Sequence, residues 1–499
     1  MPISRSRGCL IALAAVLTAA PAAADTRLPG TTTLSSAGAR EDLELSIAAV
    51  EAAMPNIYWH QSRQAWAAAK ATARADVIAV TDSEALWRIL RPLVGRIGEG
   101  HLGVHLSAAM SQHYRDAPRF PLDLLWSDEG AFVLAGYGAA ADISKGTRMI
   151  SVDGVSDADL LSEMVAVTPH DGTIRTGTMR YISGRGFASI LYRLRGAQSH
   201  FPVVLEGPAG RTERDLPAVP RAARPAEPDD PLPRPTLDWI DGHTAYLNVP
   251  TFSNRRLRAA GATFPEVIHS VFVELRQRGA TDLILDLREN GGGSEPNESI
   301  LFSYLVEKPL RKYAAVEARS QHIAVTSLSG RRFETDVFED DDKDQQRPIR
   351  GGRWRRRNTP PHGLMSRWTT FSPIFHGRLV VLAGGATFSG GAELASMLQH
   401  TDRGVFVGEE VGGTDQGNTS GYRWTLELPN SGMQLTIPLL QFRMRWKSRM
   451  AGRGVLPNCP APPEVMQADE RRDHAWRLAV ALLKQPWRTP SNAHCSKAD

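Results

Sequence analysis

The apolar positions change period between residues 81 and 106. Leu86, Ile89, Leu90, Leu93, Val94 and Ile97 keep the i, i+3, i+4 rhythm of a helix that buries one face. Thr81 with Glu84 provides a capping box at its start. Gly98 stops the helix, and Leu102, Val104 and Leu106 then alternate as a strand whose other face carries His101 and His105. Short alternating strands follow from Arg119 to Val219. Prolines at 217, 220, 225, 228, 231, 233 and 235 then make a stiff linker. Beyond it lie the strand Leu283-Ile284-Leu285-Asp286-Leu287 and the continuous apolar run Leu379-Val380-Val381-Leu382, the latter as expected of a strand buried on both faces.

Both of these strands run into glycine. After Leu382 comes Gly384-Gly385-Ala386-Thr387-Phe388-Ser389-Gly390-Gly391-Ala392-Glu393, and then Leu394, Met397 and Leu398 at helical spacing. Ser389 therefore sits where a buried strand turns into a helix, beside the unpaired amides of the helix N-terminus. Such amides can hold an oxyanion. After Leu287 comes Arg288-Glu289-Asn290-Gly291-Gly292-Gly293, whose glycines let backbone amides approach a ligand closely.

Together these segments resemble the C-terminal-processing (tail-specific) serine proteases, in which a DLRxNxGG strand-loop precedes a TxS nucleophile turn. The matching text is DLRENGGG at 286–293 and ATFSGGAE at 386–393. Downstream, Gly408 to Gly413, Leu428 to Gly432 and Gly452 to Pro457 fall in the family's order. The phrase from Gly146 to Gly154, G-x-x-I-x-x-V-D-G, resembles the PDZ-like modules inserted in that family. A module of that kind captures an extended peptide by strand addition, and a purely structural β unit is the alternative. The resemblance implies an α/β chain with a crotonase-like (Clp protease-like) catalytic domain at 236–480. An N-terminal helical unit at 25–110 and a PDZ-like β unit at 111–219 precede it, a linker at 220–235 joins them, and a tail at 481–499 follows. It implies a serine peptidase acting on peptide or protein substrates at their C-terminal ends, without a cofactor. A relative that keeps the fold but only binds peptides or an apolar ligand is the alternative.

A serine hydroxyl needs an adjacent base. One branch of the family supplies a lysine in a TxGK phrase, and the corresponding Val411-Gly412-Gly413-Thr414 has none. The branch typified by the tricorn core protease takes a histidine from a DGHT phrase in the N-terminal unit, which Gly98-Glu99-Gly100-His101-Leu102 resembles. A literal Asp241-Gly242-His243-Thr244 leads straight into Ala245-Tyr246-Leu247-Asn248-Val249 and reads as a turn before a core strand. The resemblance thus implies Ser389 as nucleophile and His101 as base, with an oxyanion hole from the amides of Gly390 and of Gly292 or Gly293. Activity is then expected to fall as pH drops through about 6 to 7.

The pattern departs from the family in two places. Gly100 stands where the tricorn-like branch has a serine, and no Asp or Glu occurs from Gly432 to Gly454, where its orienting acid is expected. Glu409, Glu410 and Glu427 are the candidate substitutes. That acid-free stretch instead alternates Arg443, Arg445, Lys447 and Arg449. On a strand they form either a solvated basic face or a receiver for a substrate carboxylate, with Lys447 an unconventional alternative base.

Arg5 and Arg7, the apolar run Leu10 to Ala20, and Ala22-Ala23-Ala24 before Asp25 make residues 1–24 a cleavable signal peptide, so a periplasmic or secreted enzyme is expected. Cys459 and Cys495 then remain, as one disulfide or two thiols. No later apolar run reaches the roughly 20 residues that span a bilayer. A net charge of +4, with bases scattered among acids, argues against a nucleic-acid partner. The dispersed histidines lack ligand spacing, so no metal is implied. The charged stretch from Glu339 to Arg357 reads as a solvated insertion or a flap over the site.

Overall fold

The computed structural model describes residues 32–225, 234–340, 342–358, 363–448, 450–467, 473–487, 490 and 495. The expected signal peptide at 1–24 and Pro228, Pro231 and Pro233 of the proline cluster lie outside these residues. The N-terminal unit comprises helices α1 (Ser36–Ala53), α2 (Arg63–Asp76) and α3 (Ser83–Gly95), followed by strand β1 (Gly103–His105). Helix α3 buries Leu86, Leu90, Leu93 and Val94, as its spacing predicts. Its cap is Asp82 rather than Thr81: the Asp82 carboxylate accepts from the Ala85 amide at 2.8 Å. Glu84 is thereby released to accept from the buried Tyr114 hydroxyl at 2.7 Å.

In the middle unit, helix α4 (Ala108–Asp116) precedes strands β2 (Leu122–Ser127), β3 (Gly130–Gly136), β4 (Arg148–Val152) and β5 (Val155–Ser156). Helices α5 (Asp157–Val167), α6 (Thr176–Ile182) and α7 (Gly186–Arg195) come next, then strands β6 (His200–Gly207) and β7 (Gly210–Pro217). The strands form an antiparallel sheet in the order β2-β3-β4-β6-β7, with β5 on β4. The outer edge of β2 is already bonded: the Gly184 amide donates to Leu124 O at 2.7 Å, and the Trp126 amide donates to Ser183 Oγ at 3.1 Å.

The third unit opens with β8 (Thr236–Trp239), β9 (Thr244–Asn248), α8 (Asn254–Ala259), α9 (Phe264–Gln277), β10 (Asp282–Asp286) and α10 (Asn297–Leu305). The short strands β11 (Leu310–Arg311) to β17 (Arg367–Trp368) follow, including β12 (Tyr313–Ala318), the hairpin β13 (His322–Thr326) and β14 (Arg332–Asp336), β15 (Gln346–Pro348) and β16 (Trp354–Arg356). It closes with β18 (Arg378–Ala383), α11 (Gly390–His400), β19 (Val405–Gly408), β20 (Gly417–Glu427), β21 (Gln434–Met444), β22 (Cys459–Pro460) and α12 (His474–Lys484).

Its main sheet, β22-β19-β18-β10-β9-β8, is parallel except at β8. Both faces are covered, which is why β10 and β18 read as unbroken apolar runs. Ile284, Val380 and Leu382 face Ala475, Ala479 and Leu483 of α12, while Leu283, Leu285, Leu379 and Val381 face the main core. Helix α12 therefore belongs to this layer and runs past the boundary expected at 480. Cys459 and Cys495 are bridged, with their Cα atoms 4.9 Å apart.

A second sheet, β1-β21-β12-β16-β15 with β20 on β21, carries the functional consequence of the fold. Strand β1 from the N-terminal unit is stitched onto β21, pairing Gly103 with Thr436, Val104 with Leu435 and His105 with Gln434. The charged stretch 339–357 is partly absorbed as β15 and β16 at the far edge of this sheet. Arg356 pairs with Asp342 at 2.8 Å, and β16 pairs with β12.

Candidate active site

The two glycine loops leave β10 and β18 side by side and are sewn together. The Thr387 hydroxyl donates to Leu287 O at 2.7 Å and accepts from the Gly384 amide at 3.1 Å; the Phe388 amide donates to Asn290 O at 3.0 Å. Asn290, fully buried, donates from Nδ2 to Val249 O at 2.9 Å and accepts the Gly292 amide on Oδ1 at 2.9 Å. The Gly292 amide is thereby engaged within its own loop. The fit is tight, since a Cβ on Gly292 would lie 2.7 Å from Ser389 Cβ.

Ser389 has φ +52° and ψ −124°, and helix α11 starts at the next residue. An L-residue in this conformation carries strain of about 1–3 kcal/mol. Strained backbone of this kind is how a strand-to-helix turn projects a nucleophilic hydroxyl.

The chain brings His101 to this turn from 288 residues away: Nε2 lies 3.3 Å from Ser389 Oγ. The loop before it is held by Asp171, whose Oδ1 accepts the Gly100 amide at 2.7 Å. The ring of Phe388 lies against the imidazole with centroids 4.8 Å apart. That ring explains Gly100, because a Cβ there would come within 2.6 Å of Phe388 Cζ. Burial, and then the charge of Arg423, lower the His101 pKa to about 4. The acid limb expected at pH 6 to 7 is therefore displaced downward.

Among the described residues no acid is bonded to the imidazole. His101 Nδ1 is buried without a hydrogen-bond partner among the described residues. Glu409 pairs with Arg180 at 3.4 Å. Glu410 is bound twice by Arg453, at 2.6 Å for each bond, and accepts the Gly454 amide at 3.0 Å. Glu427 is exposed at the end of β20 opposite Gln434. None of the three orients His101. His243 lies in an exposed turn whose amide donates to Asp241 Oδ1 at 2.9 Å, as its sequence context implied. Glu99 and Asp171 are buried beside each other behind the His101 loop. Burial, together with the neighbouring carboxyl, raises the Glu99 pKa well above its ordinary value, and burial raises that of Asp171 to about 7.

The basic alternation also resolves differently from its reading as a strand face. Strand β21 ends at Met444 because Trp446 turns inward, donating to Ser396 Oγ at 2.9 Å and packing on His400 at 4.7 Å between ring centroids. Arg443 stands 3.6 Å from Glu317, which Arg353 and Arg355 also engage. Arg445 and Lys447 are exposed beyond the strand, and Arg449 lies outside the described residues.

Beneath the Ser389 turn lies a charged hub that no single segment announces. Lys312 Nζ lies 2.9 Å from Glu295, 2.6 Å from Glu298 and 2.9 Å from Glu393. Glu393 also accepts from the Tyr313 hydroxyl at 2.7 Å and from Asn418 Nδ2 at 2.9 Å. Burial alone would lower the Lys312 pKa, but the three carboxylates raise it well above the ordinary value. Their shared ammonium offsets one charge of a carboxylate cluster that otherwise has metal-ligand spacing. Glu298 Oε2 comes within 3.6 Å of where a Gly390 Cβ would stand, so the hub supports the helix start directly.

Residues 243–461 match the sequence profile of peptidase family S41. The chain is a serine-type peptidase. The matched segment carries Ser389 and both glycine loops of the peptidase, while His101 lies outside it. Mature CPAF has a similar fold, with a TM-score of 0.62 at 15% identity over 90% of this chain and 96% of that one. A CPAF point mutant gives 0.63 at 14% identity over 91% and 99%, and mature CPAF complexed with lactacystin gives 0.61 at 15% identity over 90% and 98%. No helix among the described residues is long and apolar enough to cross a membrane.

Proposed function

We propose that this peptidase is exported and cleaves peptide bonds through an acyl-enzyme on Ser389, with His101 as general base. The observation that carries the reading is the 3.3 Å approach of His101 Nε2 to Ser389 Oγ. Accepting a proton on Nε2 requires the tautomer with hydrogen on Nδ1. Ser389 Oγ attacks the substrate carbonyl as its proton passes to Nε2, and the amides of Gly390 and Gly293 receive the oxyanion. The imidazolium returns the proton to the leaving amine, and water, deprotonated by the same nitrogen, releases the acyl group. A buried imidazole without an orienting acid is a weak base, so turnover is slow relative to a complete triad.

The order of the motifs supports a crotonase-like catalytic domain and tail-directed cleavage. In this reading the middle unit, PDZ-like in its strand-turn phrase, acts chiefly by building the site. It contributes Asp171 to the base loop and Thr176, whose hydroxyl donates to Glu410 O at 2.9 Å. The bonded β2 edge leaves little room for strand addition there.

A fluorophosphonate probe tests the dyad. Wild-type chain is expected to label covalently, Ser389→Ala not at all, and His101→Ala about 100- to 10,000-fold more slowly. A wild-type chain that ignores the probe overturns the assignment. Matched peptides with free and amidated C-termini test tail direction, and equal cleavage of both refutes it.

A further inference from the structure

A cleft of about 1470 Å³ runs past the site, lined by Gly100 and Phe388 and reaching Arg91, His105, His170 and Arg193. Arg91, on α3, is 8% exposed, and its Nε has no hydrogen-bond partner among the described residues. Its Nη1 lies 3.7 Å from where a Cβ on Gly103 would stand, two residues along the chain from His101. Three acids on the cleft wall pair with other arginines: Glu409 with Arg180 at 3.4 Å, Asp286 with Arg288 at 2.7 Å and Asp473 with Arg288 at 2.6 Å. Burying a guanidinium without an anion costs several kcal/mol, and folding alone gains nothing from it.

We propose that Arg91, with Arg193 beside it, is a binding subsite for a carboxylate of the substrate peptide, either an acidic side chain or the chain terminus. The inference rests on the peptidase reading for the identity of the ligand. The guanidinium fork matches a carboxylate in two-point geometry. The pocket is electropositive by position as well as by count. Burial, then the charges of Arg91 and Arg193, lower the His105 pKa, and burial, with Arg91 contributing, lowers that of His170. Burial, with Arg193 contributing, takes Arg91 itself down to about 10, still protonated at neutral pH. A peptide carboxylate entering here is desolvated against a fixed cation that stands beside Gly103, two residues along the chain from the base. Carboxylate-bearing substrates are thereby selected over neutral isosteres.

The full-length Ser389→Ala chain serves as an uncleaving trap, and fluorescence anisotropy reads its affinity for labelled peptides. One arm exchanges Glu for Gln at successive positions of an amidated peptide; the other compares a free with an amidated C-terminus. The arm that responds identifies the source of the carboxylate. The acidic form is expected to bind about 10- to 100-fold tighter than its neutral counterpart, and the ratio to collapse toward one when Arg91→Gln is added. Arg193→Gln, at a half-exposed position, reduces the same ratio and covers the case in which Arg91→Gln does not fold. Thermal melting reports folding in each case. Absence of any carboxylate preference, or a preference unchanged in the folded variants, overturns the proposal. Fluorophosphonate labelling of the active chain tests the dyad separately, so loss of one result leaves the other standing.

Discussion

Truncating Phe388 to alanine should move the acid limb of the reaction. The Phe388 ring covers His101 at 4.8 Å, and burial is the leading cause of an imidazole pKa of about 4 against an ordinary 6.5. The difference corresponds to about 3 kcal/mol in favour of the neutral ring. Because the folded value lies below the unfolded one, that stability is fully present above pH 6.5 and is lost as pH falls to about 4. The assay is the rate of fluorophosphonate labelling of Ser389 between pH 3.5 and 8, in buffers of constant ionic strength. Wild-type labelling should persist to about pH 4, where half the imidazole is protonated. In Phe388→Ala water reaches the ring, so the limb should climb toward 6.5, and urea unfolding of this variant should vary less with pH over the same interval. A wild-type limb already at 6.5 would show the imidazole hydrated in solution. An unmoved limb in the variant would refute the role assigned to the phenyl ring.

Other substitutions probe the turn and its supports. Ser389→Gly removes the strain of φ +52° and should stabilise the fold by about 1–3 kcal/mol in urea unfolding, whereas Ser389→Ala should not. Lys312→Met strands Glu298 and Glu393 without their cation and should cost about 3–5 kcal/mol, with partial recovery when Glu393→Gln is added. Gly100→Ser places a Cβ against the Phe388 ring and collides with it. Its labelling rate should fall sharply and recover in Gly100→Ser with Phe388→Ala. Asp171→Ala leaves the Gly100 amide without its acceptor and should slow labelling at a cost of about 1–3 kcal/mol in stability, while Asp171→Asn keeps an acceptor and most of the rate.

What could be read from the chain follows from how local each signal is. The buried strands β10 and β18 announced themselves because both faces are covered, and the glycine loops because close backbone approach excludes side chains. His101 stands out through the resemblance of its phrase, after an amphipathic helix, to the histidine-base branch, and the fold brings its Nε2 to 3.3 Å from Ser389 Oγ. The cap of that helix was misplaced by one residue, since Thr81 and Asp82 are both good capping residues and only the backbone path decides between them. The Lys312 hub was invisible because it converges residues 295, 298, 312 and 393, none of which stands out in its own segment. The basic alternation holds in part: Arg443, Arg445 and Lys447 are exposed, as a solvated face requires, but β21 ends at Met444, close to where Trp446 is anchored on α11. An orienting acid for His101 was sought downstream of Ser389, whereas the carboxyls nearest its loop come from Glu99 and Asp171, upstream.

The stitching of β1 onto β21 has a consequence for biogenesis. The imidazole leaves the ribosome 288 residues ahead of the hydroxyl, and the strand that positions it finds its pairing partner only after β21 has been made. A nascent or truncated chain therefore holds half an active site with nothing to react with. On the proposed dyad, proteolytic competence is expected only once β21 has paired with β1.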